Sequence, residues 1–345
     1  MLSTCVIVPA AGSGSRLGCS EPKAFVRVNG RTLLARSLET IISSGVASTI
    51  VVAAPEEFLL RAQEEIAEVA TRMKCEISIT AVAGGGDRNS SVQTALKLNR
   101  DAEYVLIHDA ARCLTPPDVF TRVVAALQSG AEAVVPVLPM IDTVRRVVSH
   151  ETVGADPSSG AGTGAERASN GIVWSIHGDS GAETTADRPD NPDHAVAVGA
   201  GGRAVVRGDL DRAELRRVQT PQGFRAEVLR RAHDEFAADW VGASERAGLA
   251  DGTVTTDDAC PTDGAGSTAE ADPTAGEGRQ GRVLPTDDAG LVERLGVEVV
   301  AVDGDEEALK ITYPLDLVLA EQLARMRDGA VVPGPGAPDS AKEPR

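Results

Sequence analysis

Thr4-Cys5-Val6-Ile7-Val8-Pro9, followed at once by Ala10-Ala11-Gly12-Ser13-Gly14-Ser15-Arg16, is the stretch that decides the fold. A run this apolar and this short reads as a strand buried on both faces, and the small residues after it form a loop at its carboxyl end. Working outward, Thr49–Ala54, 76–82, 104–108 and 133–137 repeat the Val- and Ile-rich pattern. Between them Leu34, Leu38, Ile41 and Ile42 recur at helical spacing, as do Val119, Val123 and Leu127 in a helix opened by Pro116-Pro117-Asp118. Such alternation predicts an α/β fold: a mostly parallel, doubly wound sheet with helices on both faces. Ligands of these sheets bind beyond the carboxyl ends of the strands.

The chain has 345 residues and a formal net charge of −17. That charge argues against general binding to nucleic acid or to an anionic membrane, but a local cluster of Arg and Lys can still hold a small anion. Aromatic residues make up only 3% of the chain, so Ala, Val and Leu must fill most of the interior. Cys5, Cys19, Cys75, Cys113 and Cys260 are scattered, with no C-x-x-C pair, which points to reduced thiols. No apolar run approaches the roughly 20 residues of a membrane span, and no export signal is recognisable, so a cytoplasmic protein is expected.

After Val148 the pattern breaks. Residues from about 151 to 200 are mostly small and polar, too poor in apolar surface to offset the entropy of ordering. Within them Ile172-Val173-Trp174-Ser175-Ile176 reads either as an added strand or as an apolar spot in a loop. Order returns at 203–207 and continues to about Trp240, a second loose stretch covers about 241–285, and a strand–helix pattern resumes with Leu291, Leu295, Val297-Glu298-Val299-Val300-Ala301 and a helix from Pro314 to about Met326. The expectation is one domain over 1–330 with two low-complexity insertions, and a disordered tail at 331–345.

The loop after the first strand carries the strongest chemical signal. Backbone N–H groups of small residues can close around phosphate oxygens, with Arg16 and Lys23 (of Pro22-Lys23) supplying cations. Other glycine loops fit poorly: no lysine follows Gly18 as a P-loop requires, and Leu17 stands where a dinucleotide fingerprint needs glycine. Gly84-Gly85-Gly86-Asp87-Arg88-Asn89-Ser90-Ser91-Val92 permits close approach to a flat base, though alone it serves equally as a strand-to-helix turn capped by Ser90 or Ser91. In Ile107-His108-Asp109-Ala110-Ala111-Arg112, Asp109 ends a buried strand where a phosphate-bound Mg²⁺ needs a hard oxygen ligand. The plainer alternative has Asp109 capping a helix or pairing with Arg112, and His108 reads as a packed histidine. Asp142-Thr143, Asp211-Arg212, Gln219-Thr220-Pro221-Gln222 and Leu309-Lys310-Ile311-Thr312 complete the polar set. Lys310 lies in an apolar, strand-like context that is costly unless its ammonium meets an anion, whereas Arg212 reads equally as solvated surface.

Taken together and in this order, A-A-G-x-G-x-R-x₆-K, G-G-x-x-R-x-x-S-V, H-D-A-A-R, D-T, T-P-Q, T-D-D-A and I-K-I-T resemble the methylerythritol-phosphate cytidylyltransferases, over about 1–150, 203–240 and 286–326. The resemblance implies a Rossmann-like sheet with a protruding dimerisation arm, a homodimer, and a reaction of CTP with a polyol phosphate. It implies that Ala10, Ala11, Gly12 and Gly14 form the CTP phosphate loop and that Arg16 and Lys23 stabilise the transition state. Gly85 and Ser91 would lie against the cytosine, Asp109 would hold Mg²⁺ and Arg112 would help bind CTP. Thr143, Arg212 and Lys310 would position the second substrate's phosphate, with Arg212 acting in its own or the partner's site. Family members usually lack both loose stretches. Thr256-Asp257-Asp258-Ala259 also mimics Thr286-Asp287-Asp288-Ala289; the second copy is preferred because a helical pattern follows it directly. The alternatives are another acceptor such as ribitol 5-phosphate, a non-catalytic nucleotide-binding protein, and an NAD-dependent oxidoreductase disfavoured by the fingerprint mismatch.

Overall fold

The opening apolar run forms β1 (Thr4–Pro9), an inner strand of the main sheet. The computed structural model describes residues 3–12, 14–19, 21–150, 171–172, 203–250 and 287–329. Along the chain β1 is followed by a small ribbon of β2 (Arg27–Val28) and β3 (Arg31–Thr32), then α1 (Leu33–Ser44), β4 (Thr49–Ala54), α2 (Leu59–Met73), β5 (Ser78–Ala83), α3 (Arg88–Leu98), β6 (Tyr104–Ile107), α4 (Pro117–Gln128) and β7 (Ala133–Pro139). The later part contributes β8 (Arg145–His150), β9 (Gly171–Ile172), β10 (Arg203–Asp209), β11 (Arg216–Val218), β12 (Gln222–Arg225), α5 (Ala226–Ala250), α6 (Asp288–Glu293), β13 (Val299–Asp303) and α7 (Pro314–Gly329).

β5, β4, β1 and β6 lie side by side and parallel. β12 pairs antiparallel with both β6 and β7, so β7 resumes the direction of β6, and β13 runs parallel to β7 at the far edge. β11 adds antiparallel to the end of β7. The chain winds one way from β1 through β4 to β5 and the other way from β1 to β6. Their carboxyl ends therefore flank the crevice where such sheets bind ligands.

Strand alternation divides the core. Val6 and Val8 of β1 join Leu106 and Val134 under α1, α2 and α4, while Cys5 and Ile7 join Val105, Ile107 and Val135 under α3, α5 and α6. Among the described residues Phe25, Phe120 and Phe224 are the largest fully buried side chains, each contributing about 1.5–3 kcal/mol by burial. Thr32 caps α1 by accepting from the Ala35 amide at 3.0 Å, and Pro117 opens α4, where its missing N–H is no loss.

The sheet is mostly parallel, with helices on both faces, as the sequence predicts. Several details differ from expectation. The 76–82 and 104–108 runs are strands at Ser78–Ala83 and Tyr104–Ile107. Lys310 is not in a strand: β13 ends at Asp303 and residues 309–312 form a loop, because Ile311 alone turns inward there. α5 runs on to Ala250, past the expected limit near Trp240, since Ala, Glu and Arg among 241–250 favour helix. β8 pairs antiparallel with β10 and β9 as a separate three-stranded sheet. Gly171–Ile172 is thus an added strand, while 173–176 lies outside the described residues. The rest of the expected 151–200 insertion, residues 251–286 with the first T-D-D-A copy (Thr256-Asp257-Asp258-Ala259), and the 331–345 tail also lie outside them. Cys5, Cys19, Cys75 and Cys113 are free thiols, and Cys260 lies outside the described residues. Among the described residues no helix is long and apolar enough to cross a membrane.

Candidate active site

The loop after β1 is folded by its own backbone. The Ala10 amide donates to Ala53 O at 2.8 Å, Leu17 N to Gly14 O at 2.8 Å, and Lys23 N to Gly12 O at 3.3 Å. Gly14 has φ +71, and a Cβ there would lie 2.8 Å from Lys23 Cβ, so only glycine lets the loop close over that lysine. Lys23 is fixed from the other side by buried Ala24 and Phe25, the latter stacked on Phe58 at 5.2 Å.

The glycine loop after β5 is pinned by Ser91, which is buried. Its Oγ accepts from the Gly85 amide at 3.0 Å and donates to Asp87 O at 2.8 Å. The cap of α3 is Asp87, not Ser90 or Ser91: its carboxylate accepts from the Ser90 amide at 2.7 Å in a capping box. A carboxylate at the N-cap also meets the positive end of the helix, which the shorter hydroxyls do less well.

At the end of β6, His108 is fully buried as expected. Its Nδ1 is 3.1 Å from Thr220 Oγ1 and its ring packs on Phe120 at 4.8 Å. Burial pushes its pKa down to about 3, so the imidazole is neutral. The Asp109 amide donates to the same Thr220 Oγ1 at 3.1 Å. The Asp109 carboxylate faces Lys310 Nζ at 2.9 Å and Arg88 Nε at 3.4 Å. Burial would raise its pKa, but Arg88 and Lys310 outweigh burial and hold it well below the usual carboxylate range. Lys23 moves the other way: burial, then repulsion from Lys310, lowers its pKa to about 8.

Lys310 reaches Asp109 because its loop is clamped. Arg112 Nη1 donates to Ala308 O at 2.6 Å, and the Ile311 amide to Ala111 O at 2.9 Å. Among the sequence-predicted residues, Ala10, Ala11, Gly12, Lys23, Gly85, Ser91, Asp109 and Lys310 line one cleft of about 450 Å³ at the carboxyl ends of β1, β5 and β6. Gly14 shapes the loop behind it. Arg16 is exposed beside the cleft, near enough to Lys23 to help lower its pKa. Arg112 does not line the cleft: its guanidinium is spent on the Ala308 and Val218 carbonyls, and Asp109 pairs with Lys310 and Arg88 rather than with it. Thr143 and Arg212 are exposed at the root of the small sheet, with Arg212 Nη1 on Ile141 O at 3.2 Å, and neither lines the cleft of its own chain.

Sequence reading missed Arg88, which lines the cleft and touches Asp109. Its place in the G-G-x-x-R motif was visible, but its partner Asp288 lies far along the chain. Burial disfavours the Arg88 charge, yet Asp288 and Asp109 more than offset this and raise its pKa. Lys310 and Arg88 thus meet one carboxylate, and Lys23 lines the same cleft, an arrangement in an acidic protein that is suited to polyphosphate. No group of three His, Cys, Asp or Glu gathers among the described residues. A lone ionised carboxylate fits Mg²⁺, which takes most of its ligands from phosphates and water.

A sequence model of the 2-C-methyl-D-erythritol 4-phosphate cytidylyltransferase family matches residues 4–158 and 274–326. The chain is 36% identical over 317 residues to the protein of that name from Rhodococcus opacus (strain B4), covering 92% of this chain and 93% of the relative. It is 35% identical over 325 residues to that of Nocardia farcinica (strain IFM 10152), covering 94% and 95%. These alignments span the stretch the family model leaves unmatched. The fold matches a crystal structure of 4-diphosphocytidyl-2C-methyl-D-erythritol synthase from Anaerococcus prevotii DSM 20548, with a TM-score of 0.56 at 18% identity over 94% of this chain and 99% of that one. The chain belongs to the 2-C-methyl-D-erythritol 4-phosphate cytidylyltransferase family.

Proposed function

We propose that this chain transfers the cytidylyl group of CTP to 2-C-methyl-D-erythritol 4-phosphate, giving 4-diphosphocytidyl-2-C-methyl-D-erythritol and diphosphate. The observation that carries the chemistry is the convergence of Lys23, Arg88 and Lys310 on the cleft around Asp109. An oxygen of the acceptor's phosphate forms a bond to the α-phosphorus of CTP. The bond from that phosphorus to the β-phosphate bridging oxygen breaks, and its electron pair leaves with diphosphate. No general base is needed, because a phosphate monoester with a second pKa near about 6 is largely dianionic at neutral pH. The barrier is the meeting of two polyanions, and fixed cations offset both that repulsion and the charge growing on the leaving group.

In this reading the Ala10, Ala11 and Gly12 backbone cradles the CTP phosphates, and Gly85 and Ser91 hold the base. Lys23 and Arg16 act on the transferring and leaving phosphates, and Lys310 draws in the acceptor. Arg112 contributes by clamping the loop that carries Lys310. Asp109 would hold Mg²⁺, which when bound neutralises phosphate charge. Thr143 and Arg212 stand away from their own cleft, which favours a homodimer in which the small sheet reaches the partner's acceptor phosphate. The same reading takes 1–330 as one domain with two insertions and places the enzyme in the cytoplasm.

Diphosphate release from CTP, measured with methylerythritol phosphate, ribitol 5-phosphate and no acceptor, with and without Mg²⁺, tests the assignment. Turnover restricted to methylerythritol phosphate is expected; equal turnover of ribitol phosphate, or none with either, would reject it.

A further inference from the structure

Among the described residues, Thr220 and Gln222 of T-P-Q and Asp287, Asp288 and Ala289 of T-D-D-A line no part of the cleft, yet they are built into its support. Thr220 Oγ1 accepts from the Asp109 amide. Two residues on, Gln222 Nε2 donates to Asp287 Oδ2 at 2.7 Å and its Oε1 accepts from the Ala289 amide at 3.2 Å. Asp287 caps α6 on the Gly290 amide at 3.0 Å. This clasp sets Asp288 on the first turn of α6, fully buried against α3 and α5. One Asp288 oxygen lies 2.5 Å from Arg88 Nη1 and the other 2.9 Å from Nε2 of His233, itself only 3% exposed.

A buried carboxylate is an expensive way to gain stability, since an apolar side chain of similar size often serves as well. What the charge supplies is geometry. Arg88 is held at one end by Asp288 and lies against Asp109 Oδ1 at the other, so the chain His233–Asp288–Arg88–Asp109 runs from the first third of α5 to the cleft.

We propose that Asp288 is a positioning residue for the transfer: oriented by His233, it fixes the Arg88 guanidinium, and Arg88 fixes the face that Asp109 presents to the cleft. Freed from Asp288, Arg88 turns onto Asp109 and competes with the cation and phosphates that Asp109 serves. This rests on the reading of Asp109 as a working residue of the site.

The test compares Asp288→Asn, His233→Gln, His233→Leu and Asp109→Asn with the unmodified chain. Turnover is read with both substrates, and Mn²⁺ affinity of the enzyme–CTP complex by water proton relaxation, without acceptor. Loss of an orienting partner behind a metal-binding carboxylate lowers affinity or activity about 10- to 100-fold. Folded Asp288→Asn should therefore turn over at least about 10-fold more slowly and hold Mn²⁺ more weakly by a similar factor. His233→Gln, whose amide can donate to Asp288 from the same side, should stay close to the parent and His233→Leu should not. A folded Asp288→Asn with parental turnover and Mn²⁺ affinity overturns the proposal. Should that variant fail to fold, the histidine pair decides: Gln above Leu in both readouts supports it, and equal values overturn it. Asp109→Asn separates the two levels. Undiminished turnover there removes the site reading and this inference with it, whereas a crippled Asp109→Asn beside a normal Asp288→Asn overturns the inference alone.

Discussion

Lys310 Nζ stands 2.9 Å from Asp109 Oδ2, joining a loop near the end of the described chain to the end of β6. The lysine side chain is 45% exposed, so the pair adds little to stability and its attraction is available to an incoming anion. Replacing Lys310 by Ala is expected to lower kcat about 10²-fold, the scale of losing one preorganised charge donor, while the melting temperature hardly changes. Steady-state rates and a thermal melt check both halves. A large drop in melting temperature with little loss of rate would show that the ion pair is structural.

Lys23 has a pKa lowered to about 8, by burial and by Lys310. Below that pH it is a cation; above it the charge is lost. For the free enzyme, kcat/KM should therefore fall as pH rises through about 8. Bound CTP is an anion that restores the proton, so the corresponding limb in kcat should move to higher pH. Lys23→Arg should abolish the limb in this range, and its persistence in that variant would assign it to another group.

Gly14 and Gly12 occupy one loop but should respond differently to Ala. At Gly14 the positive φ costs about 1–2 kcal/mol for any other residue, and the new methyl meets Lys23. Both stability and kcat should fall. At Gly12 a Cβ meets nothing within 4 Å and would stand in the open cleft, so the expected effect is a raised KM for CTP at unchanged stability. Urea unfolding and CTP titrations of the two variants distinguish these outcomes.

His108 is neutral in the fold, with a pKa pushed down to about 3 and Nε2 buried without a hydrogen-bond partner. Its unfolded value is near about 6.5, so between these limits the unfolded chain binds the extra proton and acid favours unfolding. This one group should cost about 2 kcal/mol of stability between about pH 7 and pH 5. His108→Gln cannot titrate, and its unfolding free energy should fall less over the same interval, as urea titrations at the two pH values would reveal.

The sequence made the frame legible where the local signal was strong. Thr4–Pro9 and Thr49–Ala54 are strands at the predicted limits, because a β-branched run bounded by Pro or Gly has few alternatives. The loops holding Gly12, Gly85 and Asp109 were legible as a shared ligand edge because a doubly wound sheet brings its strand ends together. What the sequence hid depends on distance along the chain. Asp288 can be paired with Arg88 only by a fold that places α6 against α3, and no periodicity encodes that. Lys310 looked like part of a strand because Leu309 and Ile311 flank it, yet only Ile311 is fully buried, anchoring a loop rather than a sheet edge. Arg112 looked like a ligand group, and its carbonyl partners at Ala308 and Val218 are visible only once β11 and the 308–311 loop are in place.

The interleaving of the strands bears on how the molecule comes into being. β12 is inserted between β6 and β7, and Lys310 and Asp288 arrive after it, so the cleft begun by residues 9–23 is finished from the opposite end of the chain. A polypeptide emerging from the ribosome can therefore form β1, β4 and β5 early but must wait for its last third before this cleft is complete. The long loops that must close first make this the slow stage of folding. Until then the exposed flanks of β6 and β7 are the surfaces most open to mispairing with other chains.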